Sequence, residues 1–141
     1  MFEYLVLGGA LGLAAIVAGY SRWKNGRFSE AAAQTLRPRF DVEQVGGVLG
    51  ERATLVQFSS AFCAPCRTTR VVLAQVVELV PGVTTVEVDA ELHLDLVREF
   101  DIMRTPTVLI LDESGTIVAR ASGAPTKEKV LATLAEHAFV S

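Results

Sequence analysis

The sequence predicts an α/β domain, in which a mixed sheet is flanked by helices on both faces, preceded by one N-terminal transmembrane helix. From about residue 53 onward, strand-like apolar runs alternate with helix-like segments, and two of the later strands are separated by a short turn. Parallel strands joined through helices, with a hairpin near the end, form mixed sheets that are covered on both faces. Ahead of them lie 18 consecutive uncharged residues. We therefore divide the chain into an anchor (1–21), a basic juxtamembrane tether (22–39) and the α/β domain (40–141).

The anchor is predicted from the apolar stretch Tyr4 to Ser21. As a helix it would span about 27 Å, close to the thickness of a bilayer core. A cleaved signal peptide, the alternative, would need positive residues ahead of its apolar stretch, whereas only Glu3 precedes this one. We expect a single-pass protein of the cell membrane.

Charge is divided unevenly along the chain. Segment 40–141 holds eight basic and fourteen acidic residues, a formal charge of −6, which argues against nucleic acid as a partner. The tether is basic, since it carries Arg22, Lys24, Arg27, Arg37 and Arg39. No lysine or arginine precedes the apolar stretch, so the positive-inside bias places the soluble domain in the cytoplasm.

The tether is expected to have little fold of its own. Asn25-Gly26 would end the anchor helix, and Ser29 would cap a short helix that runs through Leu36 and ends before Pro38.

The domain's elements follow from local signals. The apolar run Thr54 to Phe58 predicts a strand over 53–58, and the helix over 64–80 tolerates Pro65 in its first turn and ends at Pro81-Gly82. A strand over 83–89 and a helix over 91–99 follow. Pro106 opens a strand over 106–111, because a proline is tolerated at a strand's start but not inside a ladder. A turn ending in Gly115 leads into a strand over 116–121, and a helix over 126–138 completes the domain.

The chain's only two cysteines, Cys63 and Cys66, lie between the first of these strands and the helix that follows it. The unpaired N–H groups and the dipole of a helix start favour a thiolate, so both thiols are candidate catalytic residues. Cys63 would be the exposed attacker, and Cys66, one turn deeper, would close the disulfide and release a bound partner. The alternative is two buried or permanently bridged cysteines, but a bridge that closes so small a loop stabilises little.

Two segments, Leu55 to Arg67 and Met103 to Ile110, resemble the active-site loop and the cis-proline strand of the thioredoxin family. The resemblance extends over roughly residues 40 to 139 and implies a thioredoxin-like fold. It also implies exchange of dithiol for disulfide with protein substrates, an upstream thiol reductant and no metal or organic cofactor. The substrate-binding residues that it implies are Phe62, Ala64, Pro65, Thr105, Pro106 and Gly123.

The chain departs from the family pattern at several positions. Phe62 stands where the family usually has tryptophan, and Ala64 where it has glycine. Gln57 replaces the family's buried aspartate, and the lysine that partners this aspartate falls at Thr85. Proton transfer from Cys66 therefore lacks its expected carboxylate. Glu87, on the same strand face as Thr85, is a candidate substitute, and the alternative is that Glu87 lies at the solvated end of its strand.

Two alternatives remain open for the function. Thr105 differs from the bulkier apolar residue that cytosolic reductases usually have before the proline. The function of an envelope-side disulfide oxidant or electron relay therefore stays open. A metal or iron–sulfur module could instead use CxxC motifs paired between two chains, although two cysteines per chain and no neighbouring histidine weigh against it. His93 and His137 are interpreted as ordinary surface or half-buried residues.

Overall fold

The computed structural model describes residues 1–24, 28–30 and 38–137 of the 141-residue chain. The seven elements predicted for the domain are present, with ends that shift by at most three residues. In chain order the elements are α1 (Phe2–Lys24), β1 (Phe28–Glu30), a 3-10 turn (Glu43–Val45), β2 (Ala53–Ser59), α2 (Ala64–Leu79), β3 (Val83–Asp89), α3 (Leu94–Glu99), β4 (Thr107–Asp112), β5 (Ile117–Ser122) and α4 (Lys127–His137).

In the part of the chain that the structure describes, the sheet has five strands in the order β1-β5-β4-β2-β3. Strands β2 and β3 are parallel, and the other neighbouring pairs are antiparallel. Every residue of β2 is buried, because this strand has a neighbour on each side and a layer of side chains on each face. The predicted mixed sheet is confirmed.

Two apolar cores lie on opposite faces of the sheet, as the period-2 alternation of strand side chains requires. One core joins the sheet to Leu96 and Phe100 of the α3 region and to Phe40 and Val42 ahead of β2. The other core joins the sheet to α2 and α4 through Leu73, Val76, Val130 and Leu134. The predicted helices on both faces are therefore observed, and α2, which carries Cys66, is held by its own buried side.

Part of the tether pairs with the domain, which differs from the expectation that it has little fold of its own. Strand β1 runs antiparallel to β5, so Ser29 lies in a strand and does not begin a helix. Residues 31–37 of the predicted helix lie outside the described residues. Pairing satisfies N–H and C=O groups along the β5 edge that would otherwise be free. Farther on, the Ile117 N–H donates to the Pro38 carbonyl at 2.9 Å, and Arg39 forms a bridge with Thr116.

Helix α1 is long and apolar enough to cross a bilayer. Its span Phe2–Trp23 has 22 residues and a mean hydropathy of 1.8, and none of it is buried against the rest of the described chain. At 1.5 Å per residue this span is about 33 Å long, enough for a hydrocarbon core of about 30 Å.

Candidate active site

The corner between β2 and α2 positions both cysteines. Cys63 is the N-cap of α2, and its Sγ accepts a hydrogen bond from the Cys66 N–H at 3.2 Å. Pro65 fits the first turn because N–H groups there have no partner within the helix. The sulfur of Cys63 therefore lies where the free N–H groups and dipole of α2 favour negative charge.

The two sulfurs are joined in a disulfide, with an S–S distance of 2.00 Å and Cα atoms 5.2 Å apart. Cys63 is 8% exposed and Cys66 is 1% exposed. Cys63 is thus buried in the oxidised protein, which differs from the expectation that it is exposed. It is still the more accessible of the two, so an incoming thiol reaches Cys63 first.

The loop ahead of β4 lies beside the cysteine loop. The Thr105 hydroxyl is 3.0 Å from the hydroxyl of Ser60, three residues before Cys63. The Thr105–Pro106 peptide bond is cis, and Pro106 is buried at the entrance to β4. The Gly123 N–H donates to the Pro106 carbonyl at 2.8 Å. Gly123 has a φ of +99°, a conformation that favours glycine, so a turn requirement accounts for this residue.

The residues around Cys63 are apolar and exposed. Phe62 is fully exposed, which excludes a role in core packing, and Ala64 and Pro65 are also exposed. An exposed aromatic ring beside a buried sulfur provides apolar surface that a partner protein can cover.

Gln57 lies beneath the cysteines and is 3% exposed. Its Nε2 donates to the Cys66 carbonyl at 2.9 Å, so this amide fixes the first turn of α2 to the sheet. The parallel register places Glu87 opposite Gln57 and Thr85 opposite Leu55, so Glu87 is the direct cross-strand neighbour of Gln57. The register is determined on the opposite face of the sheet, where buried residues of β2 and β3 pack in pairs.

A cavity of about 240 Å³ borders both cysteines and Ala61. Its remaining lining is polar: Ser59, Ser60, Arg67, Arg70, Glu87 and Asp89. A larger cavity, of about 510 Å³ and lined by residues between 39 and 49 together with Ser114, contains neither cysteine. Of these two cavities, the smaller one is therefore the one that borders the cysteines.

Arg70 and Glu87 form an ion pair at this cavity, with Nε to Oε2 at 2.6 Å and Nη2 to Oε1 at 2.5 Å. The hydrogen bond from Arg70 is the largest effect on Glu87, and it lowers the pKa of this carboxyl below its ordinary value. Partial burial raises the pKa, whereas the charge of Arg70 and the nearby Ser59 hydroxyl lower it further. That hydroxyl is close enough to influence Glu87, but it forms no hydrogen bond of ordinary geometry with any described residue. Glu87 is therefore a carboxylate at neutral pH.

Sequence reasoning missed Ser59 and Arg70. Two signals pointed to them: Ser59 follows Gln57 by two residues and so shares its strand face, and Arg70 follows Cys66 by four residues and so shares its helix face.

Within residues 1–24, 28–30 and 38–137, no group of three or more His, Cys, Asp and Glu side chains is arranged to hold a metal ion. His93 directly precedes α3 and is half-buried, and His137 ends α4, where its Nε2 is 3.8 Å from a carboxylate oxygen of Glu136. Neither histidine lines the cavity beside the cysteines.

The family model for Thioredoxin matches residues 39–136, which is more than half of the chain. The chain belongs to the thioredoxin family. A thioredoxin from Alicyclobacillus acidocaldarius is 33% identical over 90 residues, which cover 63% of this chain and 85% of that protein. Thioredoxin H4-1 from Oryza sativa subsp. japonica is 33% identical over 89 residues, which cover 62% and 67% of the two chains.

A solved structure extends the likeness to three dimensions. The X-ray structure of Fasciola hepatica thioredoxin superimposes with a TM-score of 0.57 at 24% identity, covering 68% of this chain and 90% of that one. This likeness shows a thioredoxin fold. Together with the bonded Cys63–Cys66 pair, membership of the thioredoxin family identifies the chain as a thiol–disulfide oxidoreductase. Helix α1 lies outside the matched residues.

Proposed function

We propose that this member of the thioredoxin family is a membrane-tethered reductase, which passes electrons from the Cys63–Cys66 dithiol to disulfides of protein substrates in the cytoplasm. The observation that carries the proposal is the pair of unequally exposed cysteines at the start of α2, beside the fully exposed Phe62. A pair of this kind can accept a partner at one sulfur while the other stays protected.

The reaction then has two exchange steps. The Cys63 thiolate attacks one sulfur of a substrate disulfide, forming a mixed disulfide and releasing the other substrate sulfur as a thiolate. Cys66, as a thiolate, next attacks Cys63, so that the Cys63–Cys66 bond forms as the bond to the substrate breaks. The substrate gains two electrons and the protein loses two. An upstream thiol reductant restores the dithiol, and no step needs a metal or an organic cofactor.

Six residues are proposed to form or support the substrate-binding surface. Phe62, Ala64 and Pro65 supply exposed apolar surface beside Cys63. Thr105 precedes β4, so its backbone lies outside the ladder and is placed to pair with an extended substrate segment. Pro106 supports that loop. Gly123 contributes the turn that closes against Pro106, since its own N–H already donates to the Pro106 carbonyl.

The cytoplasmic location supports the direction of electron flow. Glutathione in the cytosol keeps an accessible and easily reduced CxxC mostly as a dithiol, ready to donate electrons. Basic residues lie in the last turn of α1 and in the segment after it, which favours a cytoplasmic domain. A domain on the other side of the membrane would need electrons delivered across it, and would then fit an oxidant or an envelope-side relay.

Cysteine labelling in intact cells tests this orientation. Because Cys63 and Cys66 are the only cysteines, a membrane-impermeant maleimide added after a membrane-permeant reductant reports on the domain alone. We expect labelling only after lysis. As a matched control, Phe2→Cys in a chain that lacks both native cysteines should label without lysis, because the other end of α1 then faces outward. Strong labelling of Cys63 in intact cells would contradict the orientation and favour the oxidant or relay.

A further inference from the structure

Cys66 has no obvious acceptor for its proton. As a resolving thiol it must ionise before it attacks Cys63, yet it is 1% exposed. Gln57 is a buried polar side chain in contact with Cys66, since its Nε2 donates to the Cys66 carbonyl. A neutral amide cannot take up a proton near neutral pH. The acceptor must therefore be reached through the cavity that borders Cys66.

That cavity contains a group able to pass a proton on. Ser59 is 4% exposed and lines the cavity together with Cys66, and its hydroxyl has no hydrogen-bond partner among the described residues. A serine hydroxyl can accept one hydrogen bond while it donates another. About 240 Å³ is also room for several water molecules, each of which takes roughly 30 Å³ in the liquid.

Glu87 is the carboxylate that this hydroxyl influences. Arg70 on α2 holds it by two hydrogen bonds, and the Ser59 hydroxyl contributes to its ionised state. The other charged groups at the cavity are Arg67 on α2 and Asp89 on β3. One oxygen of Asp89 already accepts the Glu91 N–H at 2.9 Å, which ties Asp89 to the following loop.

We propose that Glu87, positioned by Arg70, accepts the Cys66 proton through the Ser59 hydroxyl and water in this cavity. The inference rests on the role of Cys66 as the resolving thiol. In the step, the proton leaves the Cys66 sulfur and a proton reaches Glu87, the Cys66 thiolate bonds to Cys63, and the substrate sulfur leaves as a thiolate. The ion pair keeps the carboxylate ionised, so it is ready to receive a proton.

Stopped-flow reaction of the reduced full chain with one equivalent of the aromatic disulfide DTNB separates the two exchange steps. Attack by Cys63 releases the first coloured thiolate, and attack by Cys66 releases the second. Glu87→Gln should leave the first phase unchanged and slow the second about tenfold near neutral pH. This is less than the 10²- to 10⁴-fold that a well-placed base supplies. A carboxylate with a lowered pKa is a weaker base, and this one acts through water. The deficit should shrink as pH rises, because solvent hydroxide replaces Glu87.

Three variants distinguish proton transfer from a structural effect. Glu87→Asp should recover part of the second-phase rate, and Ser59→Ala should slow this phase as Glu87→Gln does. Asp89→Asn removes the same charge from the same cavity and should leave both phases unchanged. An unchanged second phase and pH profile in Glu87→Gln, or an equal loss in Asp89→Asn, overturns the proposal. A wild-type chain without a second phase instead overturns the assignment of Cys66 as the resolving thiol. An altered first phase in Glu87→Gln also counts against the proposal, because the loss would then not be confined to the resolving step.

Discussion

A Cys66→Ser variant is expected to accumulate mixed disulfides with client proteins, whereas Cys63→Ser is not. Cys63 is the more accessible sulfur and caps α2, where its thiolate is favoured, so it forms the bond to the client. Without the Cys66 thiol, nothing within the chain releases that client. Non-reducing electrophoresis of cells that express each variant would show the trapped species as bands that collapse on reduction.

The two single variants are each other's control, because each removes one thiol and the disulfide of the oxidised protein. Both should lose catalytic turnover of a protein disulfide, but only Cys66→Ser should retain the first exchange step. The double variant should trap nothing. Equal trapping by Cys63→Ser would show that the attacking and resolving roles are reversed.

A Phe62→Ser variant is expected to lower kcat/KM for a protein disulfide by roughly tenfold or more. Phe62 is fully exposed in the free protein, and covering a phenylalanine side chain contributes about 1.5–3 kcal/mol. Its loss should therefore weaken substrate binding without affecting the core, so the free energy of unfolding should change by less than about 0.5 kcal/mol. Steady-state reduction of a protein disulfide and chemical denaturation measure the two quantities.

The matched control for Phe62 is Leu79→Ser. Leu79 is 60% exposed and ends α2, about 24 Å along the helix from Cys63, so its replacement should leave kcat/KM unchanged. Reaction of Phe62→Ser with a small aromatic disulfide should also stay within about twofold of wild type, because a small molecule covers little of the ring. An unchanged kcat/KM for the protein substrate would remove Phe62 from the proposed binding surface.

The arrangement of the cysteines could be predicted from sequence because its signals are local. The apolar run that becomes β2, the tolerated proline in the first turn of α2 and the Pro81-Gly82 stop each depend on neighbouring residues only. The hairpin turn is local as well: the side chain of Asp112 accepts the N–H groups of Ser114 and Thr116. For the same reason, the Thr-Pro that opens β4 was recognisable.

Features that depend on pairing between distant segments were not predictable in this way. Ser29 is a good helix cap by type, yet its segment pairs with β5, some ninety residues later. The pairing of Gln57 with Glu87 depends on the β2–β3 register. A shift of two residues keeps the same strand face, so the hydrophobic pattern alone could not exclude it.

The reduction potential of the Cys63–Cys66 pair, measured by equilibration of the full chain with thiol–disulfide buffers, tests the reducing role most directly. For this two-electron couple about 30 mV corresponds to roughly 1.4 kcal/mol, so the measurement separates donors from acceptors of electrons. A value near that of thioredoxin, about −270 mV, is expected for a reductase supplied by cytosolic thiols. A value above about −150 mV would contradict the reducing role, because the pair would then take electrons from client dithiols.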